Sequence, residues 1–363
     1  MTLLQNVGMG VLLVLAALVL PLHADPLRIA SFNAELSRDG PGLLLRDIQR
    51  GEDKQIAAAV AVIARASPDI LALQGMDWDL DGVAITALAD LLRTAGVDYR
   101  HIYAPRPNSG MASDLDLDGD GRLGGAGDAQ GYGTFTGRGG IAVLSRFPIL
   151  TDKARDFSAV LWQDLPDALL PQRPDGTPFP SLEAQALQRL SSTGHWVVPV
   201  RLPNGTEVTI LTFQAGPPVF DGPEDRNGRR NHDEILFWRA FLDGDFGPAP
   251  DARFVLAGGA NLDAQDSDGR HPAIRALLSD PRLQDPQPRS AGAAGAGDQG
   301  HKGPDALDTV DWPRVGRFRV DYVLPSRNLR VNDAGVFWPR SNEAGAELLQ
   351  ASDHRLVWID IQL

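Results

Sequence analysis

The chain has 363 residues, 43% of them hydrophobic and 22% charged, no cysteine and a formal net charge of −13 at pH 7. This is enough apolar material for a large core, and the lack of cysteine excludes disulfides, thiolate metal sites, a cysteine nucleophile and a lipidated cysteine. The acidic balance argues against an extended nucleic-acid surface, which needs clustered Lys and Arg, but leaves small or isolated phosphates open as ligands.

In chain order, the apolar run Val11 to Leu20 followed by Leu22-His23-Ala24 predicts a secretory signal over residues 1–24, too short to span a bilayer, although no Lys or Arg precedes it. The mature domain is then 25–363, secreted or periplasmic, with no membrane anchor after signal removal. Leu27 to Asn33 alternates as a strand does. Glu52 to Ala66 carries Ile56, Ala59, Val60 and Ile63 at helical spacing and stops at Ser67-Pro68. Asp69 to Gln74 reads as a buried strand, Asp81 to Ala95 as a helix, and Gly139 to Ile149 as a strand closed by a Pro turn.

Between the last two lies an acidic, Gly-rich loop, Ser109 to Gly140. Its Asp114-Leu115-Asp116-Leu117-Asp118-Gly119-Asp120-Gly121 fits the start of a calcium loop beginning at Asp114 or at Asp116. Either register has glycine, Gly125 or Gly127, at the twelfth position, where the bidentate glutamate would stand. A structural Ca²⁺ and a solvated acidic turn are both compatible with this loop.

Trp196 to Arg201 and Glu207 to Phe213 form a hairpin about Asn204-Gly205. Arg226, Arg229 and Arg230 follow Pro217-Pro218; their guanidinium forks suit a substrate phosphate, or they form a surface cluster with the neighbouring acids. Asn231 to Leu242 and Pro272 to Leu278 read as helices and Arg253 to Ala257 as a buried strand. Gly292 to Gly303 reads as a low-complexity flexible loop, and Phe318 to Leu324 and Leu356 to Ile361 as closing strands. With no repeat and no linker, a single α/β domain is expected.

Asn33, Asn261, Asp321, Asp353 and His354 each fall at or just beyond the end of an apolar strand, where side chains are fixed by a sheet yet reach solvent. Each alone is also a common turn residue. The segments around them, Ser31-Phe32-Asn33, Pro68 to Gln74, Gly140 to Ile149, Val320 to Ser326 and Ser352-Asp353-His354, resemble in order the motifs of the endonuclease/exonuclease/phosphatase superfamily, and in particular its secreted bacterial members.

The resemblance implies a four-layer sandwich, two mixed β-sheets face to face with helices outside, and hydrolysis of phosphate esters with Mg²⁺ or Mn²⁺. It implies that Asn33 orients a metal ligand, that Asn261 and Asp321 hold phosphate and water, that Asp353 binds metal or orients the histidine, and that His354 binds phosphate. The same pattern would place a glutamate after Gln74, a histidine before Pro217-Pro218 and an aspartate two residues before Asn261. This chain has Gly75, Gln214 and Gly259 there. The expectation is therefore a metal-dependent phosphoesterase or nuclease by descent with impaired catalysis, or a pseudoenzyme that binds a phosphorylated ligand without cleaving it. Asp77 and Asp263 are the nearest acids to the two missing carboxylates, each displaced along the chain by more than a metal–ligand distance.

Overall fold

The computed structural model describes residues 26–250 and 252–363; the expected leader lies outside the described residues. Thirteen strands are present: β1 Leu27–Leu36, β2 Ile70–Met76, β3 His101–Tyr103, β4 Gly140–Ser145, β5 Arg155–Asp156, β6 His195–Arg201, β7 Glu207–Gln214, β8 Phe254–Gly259, β9 Val310–Trp312, β10 Gly316–Phe318, β11 Asp321–Pro325, β12 Arg330–Val336 and β13 Val357–Gln362. A six-stranded sheet has the order β12-β13-β1-β2-β4-β3, a five-stranded sheet β11-β8-β7-β6-β5, and β9 pairs with β10 alone. Only β1 with β2 and β7 with β8 run parallel, so both large sheets are mixed.

The layering follows from period-two alternation. Ile29, Ile70, Ala72, Ile141, Val143, Val357 and Ile359 of the first sheet pack with Trp196, Val198, Ile210, Val255, Ala257 and Val323 of the second. The intervening residues point outward. Ala30, Phe32, Leu71 and Leu73 meet the helices Lys54–Ala66 and Val83–Thr94, while Leu211, Phe213, Leu256 and Leu324 meet Arg226–Asp243 and Pro272–Leu278. Among the described residues no helix is long and apolar enough to cross a membrane.

Three expectations change. The helix expected from Asn231 begins at Arg226, because its first two turns bury Arg230, Asn231, His232, Asp233 and Glu234 and so lack an apolar period. The Ala-Gly run is not a loop throughout: Ala291–Ala296 is a helix capped by the Ser290 side chain. Its small residues allow close packing, since a Cβ on Gly292 would lie 2.4 Å from the Trp338 ring. Finally, β12 was not anticipated; its first residues are largely exposed, as befits the edge of the first sheet.

Trp196 is fully buried between the sheets, edge-on to Tyr103 of β3 at 5.4 Å and donating through Nε1 to Ser158 Oγ at 3.1 Å. Trp196→Ala is expected to cost about 3–5 kcal/mol, read as a lower denaturant midpoint; a loss under about 1 kcal/mol would mean that the inter-sheet core does not depend on this ring.

Candidate functional site

The inward parity of the strands continues past the apolar core to a polar end. Asn33 follows Ile29 and Ser31 and pairs with Gln74 across β1 and β2; Gln214 pairs with Gly259 across β7 and β8, and Gly259 with Asp321 across β8 and β11. The C-terminal ends of β1, β2, β7 and β8 and the N-terminal ends of β11 and β13 therefore converge. Ser352 Oγ closes the corner with a 2.8 Å bond to the Asn33 carbonyl.

His354 and Asp321 join the sheets here. Nδ1 of His354 lies 2.8 Å from Asp321 Oδ2, with 4% and 1% of the two residues exposed. Thr309 Oγ1 donates to the same Oδ2 at 3.0 Å and accepts from the Val320 and Asp321 amides. It is thus Asp321, rather than Asp353, that orients the histidine. Burial opposes charge on the ring, but the Asp321 carboxylate, by charge and hydrogen bond, together with Glu35 more than offsets it, so His354 titrates above its usual value. Its Nε2 has no hydrogen-bond partner among the described residues, so the imidazolium has a donor left for an anionic oxygen. Asp321 Oδ1 is buried with no partner among the described residues.

The two glycines are closed positions rather than empty ones. Gly75 has φ +71°, and a Cβ there would lie 2.4 Å from Asn33 Oδ1 and 2.9 Å from the Glu35 amide nitrogen. A Cβ on Gly259 would lie 2.2 Å from Gln214 Oε1, so the Gln214 amide fills the space into which a residue-259 side chain would grow. That oxygen is itself buried and unpartnered. Neither neighbouring acid compensates. Asp77 accepts from Ser37 Oγ and from the Arg38 and Gly139 amides, and Asp263 accepts from the amides of Gln265, Asp266 and Arg319.

Glu35 is the residue that sequence reasoning missed. It extends β1 two positions beyond Asn33, and its Oε2 accepts from Ser352 Oγ at 2.9 Å and from the Asp353 amide at 2.8 Å. Asp353 is held above its usual carboxyl value by partial burial and then by the charge of Glu35. Asn33 Oδ1, Glu35 and Asp353 are hard oxygen donors, and Mg²⁺ is commonly held by only one or two protein carboxylates with waters and substrate phosphates completing its shell. The donor chemistry here fits such an ion, though not through position 75.

A cavity of about 670 Å³ opens beside Gln214 and Asn261, with Arg226, Glu234 and Asp118 on its walls and Tyr132 and Phe220 at its rim. Asn261 Nδ2 donates to the Ala215 carbonyl at 2.7 Å. The arginine triplet does not act together. Arg226 faces this cavity and donates to the Leu117 carbonyl; Arg229 Nε donates to the Glu224 carbonyl. Arg230 is buried and also lines this cavity, its Nε and Nη2 engaged by the carbonyls of Leu190, Gln130, Arg189 and Ser191. In the acidic loop, oxygens of Asp116, Asp118 and Asp120 lie within 4.8 Å of one another. Asp114 is exposed and outside the group, so only the register beginning at Asp116 gathers its acids.

Residues 30–354 match the sequence profile of the Endonuclease/Exonuclease/phosphatase family. Among solved structures, the chain is similar to an endonuclease/exonuclease/phosphatase from Beutenbergia cavernae DSM 12333, at 20% identity and TM-score 0.54, over 94% of this chain and 72% of that one. It is also similar to an endonuclease/exonuclease/phosphatase family protein from Leptotrichia buccalis C-1013-b, at 16% identity and TM-score 0.53, over 93% and 100% of the respective chains. No curated protein sequence matches it.

Two outcomes follow from this geometry. Asp321→Asn should lower the His354 pKa, read from the imidazole resonances in an NMR titration; an unmoved midpoint would remove Asp321 as the cause. Gly259→Asp alone should destabilise by colliding with the Gln214 amide, and adding Gln214→Ala should recover part of the loss. A double-mutant cycle is expected to show coupling of about 0.5–3 kcal/mol, whereas strict additivity would mean the two side chains do not share the space.

Proposed function

The chain belongs to the endonuclease/exonuclease/phosphatase family, and from that premise we propose that it is a secreted or periplasmic member that still recognises a phosphate ester but cleaves it poorly. One observation carries this reading: Gly259 offers no side chain to activate water, and the Gln214 amide lies where one would begin. Gln214 itself hydrogen-bonds but does not carry a proton. Loss of a general base alone costs on the order of 10²–10⁴ in rate.

What remains suits anion recognition. The His354 imidazolium, oriented by Asp321, would neutralise charge on phosphoryl oxygens, and Asn261 stands at the edge of the cavity that would receive the organic part of the ester. A bound Mg²⁺ or Mn²⁺ would polarise the same phosphate. The apolar leader supports export. The non-catalytic reading, a pseudoenzyme holding its ligand intact, is favoured by the closure of Gly75 as well, because the position is then shut to a ligand side chain on both steric and backbone grounds.

The test is hydrolysis of a generic phosphodiester and a phosphomonoester with Mg²⁺ or Mn²⁺, together with calorimetric binding of the monoester across pH. Because the His354 pKa is raised, the ring stays charged to higher pH than an ordinary histidine and loses its charge only as pH rises through the folded value. Binding should therefore be strongest at acidic to neutral pH and weaken above, with turnover near background. Rapid turnover abolished by a chelator would overturn the impaired-catalysis reading, and pH-independent binding would remove His354 from recognition.

A further inference from the structure

We propose that Glu35 supplies the carboxylate that position 75 cannot, and that Glu35 and Asp353 together hold a divalent cation at the polar end of the first sheet. The inference rests on reading the strand-end cluster as a phosphoester site, and it names the cation's ligands within it.

The geometry begins at Gly75. A Cβ on that residue would approach the Glu35 amide nitrogen to 2.9 Å and the Glu35 Cα to 3.1 Å. The side chain of Glu35 thus starts beside the point from which a residue-75 side chain would have grown. The pairing of β1 with β2 loses register between Asn33 and Leu36, a bulge of the kind that re-aims a side chain. Glu35 sits in that irregularity with φ +49°, a left-handed conformation that costs a residue with a Cβ on the order of 1–3 kcal/mol and is retained only where its surroundings over-determine it.

Its carboxylate turns toward the Ser352-Asp353-His354 corner, where Oε2 takes the two hydrogen bonds described above. Among the described residues, neither Oε1 nor the Asp353 carboxylate accepts any. Neither side chain forms an ion pair among the described residues. The nearby guanidinium of Arg355 instead donates to the carbonyls of Leu349, Ser352 and His354. Two partly buried carboxylates that feel each other's charge, with Arg355 and His354 acting on Asp353 through charge but forming no ion pair with it among the described residues, form an acceptor pair that a hard cation would neutralise further. The same cation would lie on the His354 side of the corner, where phosphoryl oxygens are proposed to bind.

A different role for Glu35, as a clamp on the corner only, predicts other behaviour. Glu35→Gln keeps an oxygen acceptor for Ser352 Oγ and the Asp353 amide but removes the charge. The experiment measures Mn²⁺ binding by electron paramagnetic resonance and water-proton relaxation on the full chain, in an Asp118→Asn background that disables the acidic loop. Glu35→Gln and, separately, Asp353→Asn should each weaken Mn²⁺ binding roughly tenfold or more, while Glu35→Gln leaves the melting temperature within a few degrees of the parent. Equal Mn²⁺ affinity in Glu35→Gln and parent would overturn the proposal and leave the clamp. Because Mn²⁺ alone is the probe, this result is independent of whether any phosphate ester binds, and a failure of the functional reading would show only in the ester experiments.

Discussion

The arrangement depends on one buried contact between the two sheets, the hydrogen bond from His354 to Asp321. The loop before β13 of the first sheet supplies one partner and the first residue of β11 in the second supplies the other. Placing a carboxylate and an imidazole where almost no water reaches is costly, and well-packed apolar residues of similar size are often at least as stabilising as a buried ion pair. A further hydrogen bond from Thr309 Oγ1 supports the carboxylate, and the His354 backbone amide donates to Ser352 Oγ, fixing the chain that carries the ring. Asp321 Oδ1 nevertheless stays orphaned. A polar pair kept under those conditions, with one acceptor still unmet, is better explained by ligand recognition than by stability.

The sandwich explains why changes at distant sequence positions act as units. Inward parity carries Gln214, Gly259 and Asp321 into one row across three strands, so an altered side chain at any one of them changes the room for its neighbours. Removing the side chain at 259 did not leave a void, because the longer Gln214 amide took its place. On the first sheet the same logic holds for Gly75, with Asn33 and Glu35 filling the adjacent volume. Interiors pack densely enough that lost side chains are replaced or the structure is weakened, and here they are replaced by groups that accept hydrogen bonds.

Much of this was legible in the sequence where the signal was local. Pro272–Leu278 begins with Pro at a helix start and carries its own apolar period, and Asn204-Gly205 marks the hairpin between β6 and β7. The positions of Asn261, Asp321 and His354 at or near strand ends were legible from the apolar pattern. What was not legible was set by non-local contacts. That Asp321 rather than Asp353 orients His354 depends on a bond across 33 positions. Arg230 looks like any exposed arginine until the carbonyls around it are seen. Glu35 was overlooked because β1 was expected to end at Asn33, and a bulge, which the apolar pattern does not announce, carries it to Leu36.

The departures are unevenly distributed between the sheets, and that asymmetry bears on function. On the second sheet the groups replaced, an expected histidine and an aspartate, are those that move protons, and Gln214 and Gly259 do not. At the end of the first sheet the carboxylates of Glu35 and Asp353 and the imidazole of His354 persist, groups that organise and neutralise charge rather than activate water. On the proposed function, a site built this way would stabilise a bound phosphate without lowering the barrier to its cleavage, because rate requires interactions stronger in the transition state than in the bound ester. Retention of the charge-binding half beside closure of the proton-transfer half is what a shift from turnover toward binding would leave behind.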